Sequence, residues 1–348
     1  MSTPTIPAGN LYMNATLWTG NGGTQTITNG VAGQNFQPDL VWIKNRSSAY
    51  DHVLTNSVVG AQLSMASNTT AAESSDANGL TAFTSTGFSV GSAVRVNNSG
   101  NNIVGWQWKA GGTAVSNTAG SITSQVSANT TSGFSVVTYT GNGTNLATVG
   151  HGVGAAPYFV IIRRRDTGQN WLVDISNITG TTGNVLTLNT TNAVVTSTTI
   201  APVKPSSTVL TLGTDGLSNA SGGTYVAYCW APIAGYSQFG SYTGNGSSNG
   251  PFIYLGFQPK FFMFKNASSG STNWYIFDSS RGPYNLETLR LNPNVSDAEG
   301  TESTSTNACY FLSNGVQVGG SGTNINGSGN TIIYAAFASN PFKYSNAF

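Results

Sequence analysis

The sequence predicts an all-β protein of three tandem β-sandwich modules. Three observations carry this: a composition that starves helices, a recurring set of strand and turn signals, and near-constant spacing between them. Charged residues are 7% of the 348 positions and Gly alone fills 43, so an amphipathic helix finds little to decorate its solvent face. Thr, Val, Tyr and Ser suit strands, and Gly and Asn suit turns. The same small polar residues are common in disordered chains, but those lack aromatics. Here there are 7 Trp, 14 Tyr and 16 Phe, and they recur at intervals.

The repeat opens on an aromatic followed by Thr-Gly-Asn-Gly: Trp18 to Gly22, Tyr139 to Gly143 and Tyr242 to Gly246. Asn-Gly tolerates positive φ, which predicts a hairpin turn at each. Next comes a proline, an apolar run and a base: Pro38 to Lys44, Pro157 to Arg163 and Pro259 to Lys265. Proline fits a strand's first residue, and runs apolar on both faces predict central strands. His52, Trp171 and Trp274 follow the proline by 14, 14 and 15 positions. Behind them come an Asx residue (Asn56, Asp174, Asp278) and a glycine (Gly60, Gly180, Gly282). A short alternating strand places Leu63/Met65, Leu186/Leu188 and Leu289/Leu291 on one face. Each copy closes on an aromatic-rich strand ending at Trp108, Trp230 or Phe337, which lie 90, 91 and 95 positions after the opening aromatic.

Such a length, with turn signals every 8 to 12 residues, predicts two packed sheets per copy. The modules are expected at 1–112, 131–234 and 235–348, with a linker at 113–130. Pro202 and Pro205 mark a loop in the second copy, and Gly315 to Gly329 reads as a long loop in the third.

A formal net charge of +1 gives no electrostatic case for nucleic acid or an anionic membrane as partner. A weakly charged surface favours self-association and life within an assembly. The start, Met1-Ser2-Thr3-Pro4-Thr5, has no secretory pattern, and no apolar run reaches membrane-span length, so no membrane insertion is expected. The Asn-x-Ser/Thr triplets at Asn189 and Asn294 follow from composition and are not read as glycan sites. Cys229, within the apolar strand Tyr225 to Trp230, reads as a small buried hydrophobe. Cys309 falls at a non-equivalent place, and two thiols alone make no structural zinc site.

The residues offer little for catalysis. His52 stands where the other copies carry Trp, which points to packing. His151, in Gly150-His-Gly-Val-Gly154, has no acidic or nucleophilic neighbour and reads as a solvated loop residue. Glu73 with Asp76, and Asp297 with Glu299 and Glu302, occupy equivalent loops. Paired carboxylates suit Ca²⁺ binding or glycoside hydrolysis, but the second copy has Asn192-Ala-Val-Val195 there, so the module does not need them. Of Arg163-Arg164-Arg165, the first and third share a strand face. They read as a solvated sheet edge that blocks unwanted pairing, or as an interface salt bridge to another subunit. No Lys-Ser/Thr follows the Thr-Gly-Asn-Gly turns, which excludes a phosphate loop. Unpaired Trp and Tyr suit stacking on sugars. No catalytic, metal or cofactor residue is expected, and no binding residue is assigned.

Four stretches carry a resemblance: Phe36 to Ser47, Asn68-Thr-Thr-Ala-Ala-Glu73, Thr86-Gly-Phe-Ser-Val-Gly91 and Val104-Gly-Trp-Gln-Trp-Lys-Ala110. They resemble repeats in virion structural proteins of tailed phages, marine and cyanobacterial phages above all. Such proteins are described as tail-fibre or concanavalin A-like sandwich proteins. The similarity runs from about Ala15 to Asn340-Pro-Phe-Lys-Tyr344 and is weakest in the second copy. It implies jelly-roll or lectin-like modules and a non-enzymatic virion component, foremost a tail-fibre or receptor-binding protein. Partners would be other virion proteins, a homo-oligomer (a trimer first) and a host-surface glycan. The alternatives are a capsid decoration or head-fibre protein, which the lack of a shaft-forming stretch favours, and a glycan-binding lectin or polysaccharide depolymerase.

Overall fold

The computed structural model describes Ile6 and residues 8–282, 285–303 and 305–338. The segments Met1 to Thr5 and Asn340 to Tyr344, used above, lie outside the described residues. The fold is all-β and antiparallel, with 41% strand and 5% helix. No helix among the described residues is long and apolar enough to cross a membrane.

Each repeat lays down the same four-strand ladder in the spatial order opening, closing, proline and Asx strand. In repeat 1 these are Met13–Thr19, Asn102–Trp108, Leu40–Asn45 and Val53–Asn56. In repeat 2 they are Phe134–Thr140, Thr224–Trp230, Phe159–Arg164 and Leu172–Asp174. In repeat 3 they are Ser237–Thr243, Thr331–Ala338, Pro259–Asn266 and Trp274–Asp278. The registers match as well. Trp42 lies between Trp106 and Leu54, Ile161 between Tyr228 and Val173, and Met263 between Ala335 and Ile276.

The proline strands are apolar on both faces because both faces are covered. One face joins a core local to its repeat. Val41 and Ile43 meet Ile27, Phe88 and Val90; Val160 and Ile162 meet Val149, Leu210 and Leu212; Phe262 and Phe264 meet Ile253, Phe311 and Val316. The opposite faces, with Trp42, Ile161 and Met263, belong to one core shared by all three repeats. The equivalent residues Trp108, Trp230 and Phe337 converge there, with Trp108 5.8 Å from Trp230 and 5.7 Å from Phe337 between ring centres. The void they line with the proline strands is about 10 Å³, the bare minimum for a water and with no polar wall to hold one. The repeats are therefore not beads on a string.

The Thr-Gly-Asn-Gly segments are not hairpins. Each opening strand pairs with the closing strand of its repeat, as in Trp18↔Ile103, Tyr139↔Tyr225 and Tyr242↔Ile332. The turn instead leads the chain out of the ladder and is clasped by a fully buried asparagine near the closing strand: Asn97, Asn219 or Asn326. In each copy the turn's Asn N–H donates to that side chain's Oδ1, at 3.1, 2.9 and 2.8 Å. The next glycine's N–H donates to its backbone carbonyl at 2.9 Å in all three. The first glycine of each turn is required by close approach: a Cβ on Gly20, Gly141 or Gly244 would stand 2.1 to 2.5 Å from a carbonyl oxygen.

The expected linker at 113–130 carries two strands, Val115–Asn117 and Ser124–Asn129, which extend the ladder of repeat 2 outward. Ile122 and Val126 enter the local core from among its Ser, Thr and Asn residues; an antiparallel strand with one face in solvent needs only one apolar face. The expected loop Gly315 to Gly329 likewise holds a strand, Gly315–Val318, and a short helix, Thr323–Asn326. Gly315 is there for contact, since a Cβ would sit 2.1 Å from the Ile253 oxygen.

Candidate functional site

Several of the side chains singled out in the sequence meet at the junctions between repeats. Lys44, Arg163 and Lys265 close the proline strands and are fully buried, not on a solvated edge. Buried cations need oxygen partners, and backbone carbonyls supply them. Lys44 Nζ donates to Tyr50 O at 2.7 Å and, from repeat 3, Ser296 O at 2.9 Å. Arg163 donates to Gln169 O and to Thr70 O and Ala71 O of repeat 1, with its guanidinium 5.5 Å above the Trp171 ring. Lys265 stays within its repeat, on Asn266 O and Thr272 Oγ1. Burial lowers Lys44 and Lys265 to about 8 and Arg163 to about 10.

Two residues further on, the carbonyls of Arg46, Arg165 and Ala267 accept the N–H of Glu299, Glu73 and Val194, at 2.9, 2.9 and 2.8 Å. These bonds join repeat 3 to 1, 1 to 2 and 2 to 3, so the three repeats close a ring. Side chains reinforce two of the junctions. Arg46 forks onto Glu299 at 2.9 and 2.7 Å, and Arg165 onto Glu73 at 3.0 and 2.8 Å. The third junction pairs Ala267 with Val194 and has no charge. This accounts for the acids in the equivalent loops. Asp76 pairs with Arg95, Glu302 with Arg290, and Glu299 takes a second bond from Arg281, while Asp297 is exposed. Glu73, Asp76, Glu299 and Glu302, which would suit calcium or glycoside chemistry, are thus committed to arginines.

The Asx and aromatic landmarks form a second ring. Trp171 Nε1–H donates to Ala66 O at 2.9 Å and Trp274 Nε1–H to Thr187 O at 3.0 Å. His52 occupies the same place. It accepts from Trp42 Nε1 on Nδ1 at 3.0 Å, which leaves Nε2–H to donate to Asn292 O at 3.1 Å. Burial, then the nearby Lys44 cation, holds His52 well below its ordinary value, so it is a neutral packing residue. Asn56 donates to Tyr228 Oη at 3.1 Å, and Asp278 accepts from Trp106 Nε1 at 3.0 Å and Arg281 Nε at 2.6 Å. Burial opposes the Asp278 charge, but Arg281 holds its carboxyl below the usual range. Asp174 is the exception. Its counterpart of Trp106 and Tyr228 is Ala335, which has no donor. Left with the Ser176 N–H at 2.8 Å, its carboxyl is raised by burial to about 6.

His151 is buried, not solvated: Val153 N–H donates to its Nδ1 and Nε2–H reaches Ser206 O, both at 3.2 Å. Cys229 and Cys309 are free buried thiols in separate local cores. Asn189 and Asn294 fasten the Trp171 and Trp274 backbone N–H groups at 2.9 and 3.0 Å, as Asn68 does for His52. Sequence reading missed the clasp asparagines, although each stands five positions before its closing strand. It also missed an open polar cleft of about 480 Å³ between repeats 1 and 3, walled by Asn14, Leu17, Gln34, Lys260 and Ser280.

The family described as Domain of unknown function (DUF7483) matches residues 8–341. The chain belongs to this family. The DUF7483 match spans all three repeats, so the family unit is the whole ring and not a single copy. Comparison with curated proteins finds no match, and comparison with solved structures finds none.

Proposed function

We propose that the chain is a non-enzymatic structural protein of a tailed-phage virion, foremost a tail-fibre or receptor-binding component, with each repeat a jelly-roll or lectin-like β-sandwich. The observation that carries the non-enzymatic part is the use of ionisable groups. Lys44 and Arg163 sit on carbonyls, Glu73 and Glu299 are forked onto arginines, and both histidines are buried with both ring nitrogens engaged. Their work is to hold the repeats together. What faces outward is mostly uncharged Ser, Thr, Asn and Gly, which suits contact with subunits or a host-surface glycan through many weak bonds. Three similar faces within one chain multiply such contacts, and a homotrimer with other virion proteins as neighbours would multiply them again.

A second reading, a capsid decoration or head-fibre protein, is favoured by the closed ring. Three repeats sharing one core make a knob, where a fibre shaft needs modules in a row. The particle location separates the readings. Antibody against this chain should label the tail tip of intact particles. Label confined to the capsid would establish the second reading, and absence from purified particles would refute both. Oligosaccharide released from host polysaccharide would refute the non-enzymatic assignment in favour of a depolymerase.

A further inference from the structure

Antiparallel strands turn alternate peptide groups toward each neighbour. In the opening strand of repeat 1, Tyr12 O accepts Lys109 N–H and Gly20 N–H donates to Asn101 O, both toward the closing strand. Even-numbered residues therefore face the ladder, and Ala15 and Leu17 face the edge. The Ala15 groups are already used, its N–H by Asn14 Oδ1 and its oxygen by Ser280 Oγ. The peptide groups of Leu17 have no partner among the described residues, and its side chain is 40% exposed.

The equivalent edge of repeat 2 is occupied. Ser124–Asn129 lies antiparallel on Phe134–Thr140, with Gln125 opposite Thr138 and Ser127 opposite Val136. Thr138 is the counterpart of Leu17, and Val136 of Ala15. Repeat 1 has no such strand among its described residues; the cleft of about 480 Å³ runs along that edge instead. Exposed edges are commonly guarded by charge or proline; Met13–Thr19 contains neither, and the charge lining the cleft beside it is Lys260 of repeat 3.

We propose that this edge is a strand-docking site for an extended segment of another protein, uncharged, rich in Ser, Thr, Asn and Gln, and alternating with small apolar residues. The occupant's chemistry is read from the strand that fills the matching edge. The segment would add to the ladder through the Leu17 peptide group, with its side chains against the amides and hydroxyls of the cleft. The site stands whatever position the chain takes on a particle.

The test uses the full chain and a labelled peptide of residues 121–131, the native occupant of the repeat 2 edge, followed by fluorescence anisotropy. Saturable binding is expected, weakened about tenfold or more by Leu17→Lys, which restores a guarding charge. Leu17→Pro, whose missing N–H faces the edge, should abolish it. A charge placed away from the open edges of repeats 1 and 3, Val203→Lys at an exposed position of repeat 2, should leave it intact. Absence of binding, or equal binding by both Leu17 variants with unchanged melting temperature, would overturn the proposal. Self-association of the wild-type chain that Leu17→Pro abolishes would overturn it in favour of a second copy.

Discussion

Asp174→Asn offers a test worked directly from the second ring. The folded carboxyl titrates at about 6 because burial disfavours its charge, while in the unfolded chain it titrates near 3.9. Between those values the unfolded chain has released a proton that the folded chain still holds. Stability therefore falls as pH rises through the window, and the loss is complete above about pH 6. Two pK units amount to about 3 kcal/mol. Asparagine does not titrate, and its Oδ1 can keep the Ser176 N–H. Its amide N–H finds Ala335 where Asn56 finds Tyr228, a cost of about 1 kcal/mol. The variant should thus be more stable than wild type by about 2 kcal/mol at pH 8, and less stable by about 1 kcal/mol at pH 3. Urea midpoints of both proteins across this range check it, and the difference between them cancels every other titrating group. A flat difference curve would refute the reasoning.

Removing the clasp by Asn219→Ala takes acceptor or donor from Asn142 N–H, Thr144 O and Gly213 O. It should cost about 3 kcal/mol in chemical denaturation. A double-mutant cycle on Glu73→Gln and Arg165→Gln should return a coupling of about 1 kcal/mol, because the fork is bidentate yet partly exposed. Adding Val194→Glu and Ala267→Arg installs that fork at the uncharged junction. The coupling should be favourable by about 0.5 kcal/mol, whatever the lost Val194 packing costs each single variant.

The fold class and its repetition were legible because both are written locally. Strand composition, proline at the strand start, and alternation in Leu186/Leu188 depend only on neighbours in the chain. The turn at Trp18 to Gly22 misled because Asn-Gly reports backbone conformation, not the strand to be paired. Its partner, Asn97, is 76 positions from Asn21, beyond any local pattern. Lys44 and Arg163 misled for a related reason. A base ending an apolar run suggests solvent, and only the tertiary fold shows carbonyls waiting there. One signal was present but unread: the repeat lacking an acid and the repeat lacking Arg46's counterpart are consecutive, which is how a ring of junctions looks when one link is neutral.

Three repeats that share one core should unfold as one body. Scanning calorimetry of the intact chain tests it most directly. A single transition is expected, with van't Hoff and calorimetric enthalpies in agreement. Separate transitions, each assignable to a repeat and unmoved by Trp108→Ala, would contradict it.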